Sequence, residues 1–129
     1  MKRKVLMEKN ITTSEEKKRE TVLVLSSRYM GESNRELGDI LMRSFAYTLA
    51  EQKSPIDTVL VYNEAAYLTC EGSEILDDLK KLQSTGTKIL TCGTCLNFFD
   101  LTEKLVVGEV SNMYTIVEKM LAAGQLIKP

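Results

Sequence analysis

The sequence predicts an α/β fold of three layers, α/β/α, built on a mainly parallel sheet. Three short, nearly continuous apolar runs carry that reading: Thr21-Val22-Leu23-Val24-Leu25-Ser26, Thr58-Val59-Leu60-Val61-Tyr62 and Thr87-Lys88-Ile89-Leu90-Thr91. Runs of this length and composition belong to strands buried on both faces. Amphipathic stretches of helical period alternate with them, which is the pattern of βαβ units. At 129 residues the chain suits one compact domain with a single core.

Residues 1–20 carry eleven charges, from Lys2 to Glu20. Such a stretch buries too little apolar surface to offset its ordering entropy. It reads as a charged mobile arm or the remnant of an interdomain linker, with a solvated helix held by opposite-sign pairs as the alternative. The folded domain is then 21–129.

From Thr21 the elements follow in order. A polar loop, Ser27 to Glu32, leaves the first strand. Ser33-Asn34-Arg35-Glu36 matches a capping box, with the Ser oxygen and the Glu carboxylate serving the first free N–H groups. Leu37, Ile40, Leu41, Phe45 and Leu49 keep helical spacing, and Pro55 stops that helix. After the second strand comes an irregular stretch, Asn63 to Gly72. A helix from Ser73 then presents Ile75, Leu76, Leu79 and Leu82 on one face, and Gly86 stands where a left-handed C-terminal cap belongs. The third strand runs into Cys92-Gly93-Thr94-Cys95 and a short helix through Phe98. A weak strand is expected over Val106 to Val110. Ser111 caps a final helix with Met113, Ile116, Val117, Met120 and Leu121 as its core stripe. Gly124 closes it, and Leu126-Ile127 adds an edge strand.

Composition excludes much. Seventeen basic residues against eighteen acidic give a net charge of −1 and no electrostatic case for nucleic acid or anionic lipid. No apolar run reaches the roughly 18 to 20 residues of a membrane span. The basic start Met1-Lys2-Arg3-Lys4 is followed only by Val5-Leu6-Met7, so no signal peptide is read. A cytoplasmic protein is expected, where thiols stay reduced. With no His there is no Ser-His-Asp triad, no Cys-His pair and no His-ligated metal. Three Cys do not complete a four-ligand zinc site. Neither GxxxxGK[ST] nor GxGxxG occurs. No cofactor and no metal are expected.

What remains for chemistry is the Cys pair. In three-layer α/β folds ligands sit at the carboxyl ends of the strands, and the CxxC lands at one of them. A strand feeding directly into Cys-Gly-Thr-Cys puts Cys92 at a helix start, where free N–H groups and the helix dipole favour a thiolate. Gly93 allows close backbone approach to whatever binds the sulfur, with Thr94 beside it. Cys95, one turn on and shielded by it, is placed to resolve a disulfide or persulfide formed at Cys92. The opposing reading is two buried Cys acting as small hydrophobes. Asn63 and Glu64 close the second strand and are placed to orient a ligand, unless Asn63 is only turn chemistry. Cys70 lies at the same end of the sheet, either near Cys92 or as an ordinary packed residue.

Val61-Tyr62-Asn63-Glu64, Leu68-Thr69-Cys70-Glu71-Gly72-Ser73, Ile89-Leu90-Thr91-Cys92-Gly93-Thr94-Cys95-Leu96 and Glu109-Val110-Ser111-Asn112-Met113-Tyr114 together resemble the DsrE/DsrF-like family. The closer match is to its YedF-type branch, sulfurtransferase-like proteins linked to selenium metabolism. The resemblance spans about Thr21 to Leu126. It implies a DsrE-like α/β/α sheet, a homo-oligomer, and a persulfide on the residue matching Cys92, with Cys95 as the second Cys of the branch's motif. It also implies a sulfur or selenium donor or acceptor as partner, such as a TusA-like protein or a cysteine desulfurase. The N-terminal Cys-Pro-x-Pro domain usual in that branch is absent from this sequence. The expected function is sulfur or selenium handling through sulfane sulfur held on Cys92, and any enzyme would be a sulfurtransferase-type transferase. The alternative is a non-enzymatic oligomeric assembly or redox-sensing partner. A thioredoxin-like oxidoreductase is weaker, because no Trp precedes the pair.

Overall fold

The structure is a computed structural model, and it describes residues 19–52 and 56–129. Residues 1–18 of the charged arm and Pro55 lie outside the described residues, while Glu20, placed in the arm by its charge, is the first residue of β1 and pairs with Ala123. Five strands form one sheet: β1 (Glu20–Leu25), β2 (Thr58–Val61), β3 (Lys88–Cys92), β4 (Glu109–Ser111) and β5 (Ala123–Ile127). Their order is β4-β3-β2-β1-β5, and every neighbouring pair is parallel. The helices are α1 (Arg35–Glu51), α2 (Leu76–Ser84), α3 (Gly93–Phe98) and α4 (Met113–Ala122), with short 3-10 segments at Asn63–Thr69 and Thr102–Lys104. The α/β architecture expected from the apolar runs is the one observed.

Alternation along the strands divides the core between the two faces of the sheet. Leu23, Leu25, Val59, Val61 and Ile89 pack with Met42 and Ala46 of α1 and with Leu79 and Leu82 of α2. Val22, Val24, Leu60, Leu90 and Cys92 point the other way, onto Ile116 and Met120 of α4. Both sides of the central strands are therefore covered, as a parallel sheet requires.

Several local expectations are corrected. The cap of α1 is Asn34, whose Oδ1 accepts from the Leu37 N–H at 2.8 Å. Ser33 is displaced from that role by its left-handed backbone, φ 77°. Asn112, not Ser111, caps α4 through the Thr115 N–H at 2.9 Å, because Ser111 is the last residue of β4. The strand itself lies at Glu109–Ser111, three residues later than its expected start at Val106. The second helix begins at Leu76 rather than Ser73.

The helix stripes also rotate away from their expected positions. In α1 the buried residues are Gly38, Met42 and Ala46, while Leu37, Ile40 and Leu41 face outward. In α4 only Ile116 is fully buried, and Met113, Val117 and Leu121 are exposed. Both helices carry apolar surface broader than one sheet face can cover. Gly86 does adopt the left-handed conformation that ends α2, φ 106°. Gly124 does not end α4; Ala123 takes extended backbone and the chain passes straight into β5. A Cβ on Gly124 would lie 2.8 Å from Arg19 Cβ, so glycine is needed there for close packing against the residue before β1.

Candidate functional site

Cys92 is at once the last residue of β3 and the N-cap of α3. Its partner across the ladder is Ser111, the last residue of β4. The chain after β3 returns through Val107 on the α1/α2 face, whereas the chain after β4 crosses to the opposite face as α4. The order β4-β3-β2-β1-β5 reverses at β1/β5, so β3 and β4 do not form the topological switch point. Cys92 lies at the carboxyl end of β3, the end of the sheet outside which open α/β folds hold their ligands.

Cys92 is buried, 2% exposed as a residue. Burial pushes its thiol up, but the N–H and thiol of Cys95 and the N–H and hydroxyl of Thr94 all favour the thiolate. The net displacement is downward from the ordinary thiol value. Cys95 is half-buried and borders two clusters, that of Cys92 and a smaller one made of Ala66, Cys70, Leu96 and Leu101. Burial pushes Cys95 up, the backbone N–H of Asn63 opposes it, and the adjoining Cys92 adds to the rise. The two sulfurs are thus differentiated: Cys92 holds charge more readily, and Cys95 retains its proton. Their relative exposure reverses the expectation that Cys95 is the more shielded, because a strand end sinks deeper into the fold than the first turn of a surface helix.

The remaining candidate residues have distinct placements. The Asn63 N–H donates to Cys95 Sγ at 3.1 Å, and its side-chain Oδ1 accepts from the Glu64 N–H at 2.8 Å. Thr94 is exposed in the first turn of α3 and favours the thiolate form of Cys92. Gly93 admits the β4 strand rather than an open space: a Cβ there would lie 3.0 Å from Val110 Cγ1 and 3.4 Å from the Ser111 carbonyl oxygen. Cys70 is wholly buried against Ala66, Leu96 and Leu101, with its thiol pushed up by burial. It is the packed residue of the two readings. All three cysteines are free thiols. Among the described residues no group of three or more His, Cys, Asp or Glu is arranged to hold a metal ion.

One neighbouring feature escaped the sequence reading. A cavity of about 290 Å³ lies on the α1 side of the 3-10 segment, lined by Arg28, Arg43, Tyr67 and Glu71 among others. The Arg28 guanidinium stacks over the Tyr67 ring at 4.7 Å from its centroid. Arg28 follows the serines at the end of β1 with no pattern around it. Only the fold brings Tyr67, 39 positions on, beneath it.

No family model matches the chain, and no curated protein matches it. Solved structures do. The YchN protein of E. coli superposes with a TM-score of 0.65 at 19% identity, covering 86% of this chain and 99% of its own. A protein of unknown function from Methanobacterium thermoautotrophicum gives 0.61 at 20% identity, over 86% of this chain and 99% of that one. A conserved protein of unknown function from Bacteroides thetaiotaomicron gives 0.57 at 10%, over 85% and 95%. YchN has a DsrE/DsrF-like fold, and the fold of this chain is therefore DsrE-like.

Proposed function

We propose that the protein handles sulfur, accepting a sulfane sulfur on Cys92 as a persulfide. The observation that carries this reading is the placement of buried Cys92 at the carboxyl end of β3 and the N-cap of α3 in a DsrE-like sheet, where the donor groups of Cys95 and Thr94 shift its thiol downward. A thiolate is the nucleophile that such a transfer needs. In the loading step the Cys92 thiolate attacks the outer sulfur of a donor persulfide. A Cys92 Sγ–S bond forms, the donor S–S bond breaks, and the donor departs as its thiolate. The sulfur then passes to an acceptor thiol, or Cys95 displaces it as hydrosulfide and closes a Cys92–Cys95 disulfide. In that second route the sulfane sulfur is reduced while the two thiols are oxidised, so the electrons balance; a thiol reductant restores the pair.

The cargo is sulfur or its heavier congener selenium, in keeping with the YedF-type resemblance, and the donor is a protein persulfide of the TusA-like or cysteine-desulfurase kind. A reducing cytoplasm suits such a pair. No helix among the described residues is long and apolar enough to cross a membrane. We further propose a homo-oligomer, supported by the exposed apolar side chains Met113, Tyr114, Val117 and Leu121 on α4. Those same side chains favour the second reading, an assembly or redox-sensing partner without transfer. Intact mass after exposure to a sulfane-sulfur donor separates the two. A gain of one sulfur atom that is lost in Cys92→Ser supports sulfur handling, and no gain at Cys92 in the wild-type chain selects the assembly reading.

A further inference from the structure

Asn63 is one of three non-glycine residues with left-handed backbone among the described residues, φ 55°. Asn tolerates this conformation better than other residues because its side chain bonds locally, here to the Glu64 N–H at 2.8 Å. The peptide between Tyr62 and Asn63 is held at both ends. Its carbonyl oxygen accepts from the Ala65 N–H at 3.2 Å, and its N–H donates to Cys95 Sγ at 3.1 Å. Tyr62 is itself tied to β1, its N–H donating to the Leu25 carbonyl at 3.1 Å. A backbone donor from the end of β2 is therefore fixed on the second sulfur of a pair that belongs to the end of β3.

We propose that Asn63 is a positioning residue whose backbone N–H holds Cys95 ready to act as the resolving sulfur. This rests on the reading of Cys92 as the sulfur acceptor. Before loading, the Cys95 thiol favours the thiolate form of Cys92. Once Cys92 carries the extra sulfur, the negative charge moves to the outer atom, and the Asn63 N–H is the donor that remains on Cys95. Attack of the Cys95 sulfur on Cys92 Sγ forms the disulfide and breaks the persulfide bond. The Cys95 proton leaves with the departing sulfide as hydrosulfide, so a persulfide anion plus a thiol become a disulfide plus hydrosulfide. The group whose charge acts on Cys95 is Cys92; the 3-10 segment contributes the Asn63 amide and not the Glu64 carboxylate.

The test compares Asn63→Val, whose β-branch resists left-handed backbone, with Asn63→Gly, which adopts it freely. Each is placed in a Cys92→Ser background and the pH midpoint of Cys95 alkylation is read by mass spectrometry. Asn63→Val is expected to raise the midpoint by about one pH unit, a tenfold loss of thiolate, while Asn63→Gly retains the parent midpoint. In chains retaining Cys92, Asn63→Val slows hydrosulfide release after loading about tenfold and leaves the loading rate itself in place. Should Asn63→Val fail to fold, Asn63→Ala takes its place. Coincident midpoints for Val (or Ala) and the parent overturn the assignment. If the midpoint moves but the wild-type chain takes up no sulfur, the Asn63–Cys95 relation stands and sulfur handling falls. If sulfur loads and the midpoint stays, only the role of Asn63 falls.

Discussion

Substituting Gly108 by Ala is expected to damage the strand that flanks Cys92. Gly108 has φ 77°, which costs a residue with a Cβ about 1 kcal/mol or somewhat more. It also lies against β3: an added Cβ would stand 2.4 Å from the Ile89 carbonyl oxygen and 2.8 Å from Ile89 Cβ. Both are closer than real contacts allow, and the first is to backbone, which does not swing away. Relieving such an overlap by strand displacement costs roughly 2–3 kcal/mol. The total is about 3–4 kcal/mol, and unfolding entropy scaled to 129 residues converts this to roughly 11–15 °C in Tm. Gly31→Ala is the matched control, because Gly31 has φ 86° and nothing within 4 Å of its added Cβ. It is expected to lose about 1 kcal/mol, roughly 4 °C. Urea and thermal unfolding of both variants give the difference directly. Because Glu109 pairs with Leu90 and Ser111 with Cys92, the Gly108 variant should also label faster at Cys92 in its native state. Equal losses for the two variants would refute the backbone-contact argument and leave only the dihedral cost.

Four further outcomes are expected. Cys92, displaced below the ordinary thiol value, should show an alkylation midpoint lower than that of Cys95, although its burial slows the absolute rate; a midpoint at or above that of Cys95 counts against the thiolate assignment. By linkage, a depressed folded-state value makes the Cys92 contribution to stability full above the unfolded thiol pKa and lost as pH falls through the folded one, whereas Cys95 and Cys70, both raised, contribute below that range and lose it as pH rises. Cys70→Ser should destabilise by about 1–3 kcal/mol in urea, since it puts a hydroxyl among Ala66, Leu96 and Leu101, while Cys70→Ala loses less. Leu121→Glu, at a side chain 83% exposed, should weaken self-association at least about tenfold by light scattering without shifting the monomer's unfolding. An unchanged assembly would show that α4 is not the contact face.

The strands were legible because residues such as Val22 to Leu25 and Val59 to Val61 are buried on both sides of the sheet, which leaves little room for polar side chains. The position of Cys92 followed from its strand. Caps were read one residue early at both Asn34 and Asn112, since Ser and Asn are equivalent as side chains and only backbone geometry separates them. The apolar stripes of α1 and α4 point to burial on both flanks, yet a single sheet face covers just the centre of each; no pattern within the chain tells a core residue from one facing another molecule. The Asn63 N–H on Cys95 was out of reach for a further reason. It joins backbone to a side chain 32 positions away and leaves no trace in residue type.

The sheet order has a consequence for how the molecule comes into being. β1 is the second strand from one edge, and its outer neighbour is β5, with Glu20 opposite Ala123 and Leu23 opposite Ile127. β2 lies close to β1 in sequence, but the row of β1 N–H and C=O groups on its other side has no partner until β5, roughly a hundred residues further on, has left the ribosome. For all that time the nascent chain presents a sticky apolar border to its surroundings. The strand that finally seals it is only five residues long and mostly exposed on its outer side. Closure is thus late and non-local, the features of slow folding with an aggregation-sensitive waiting period. A chaperone's touch would matter most in that interval, after the thiol pair has emerged and before the sheet is whole.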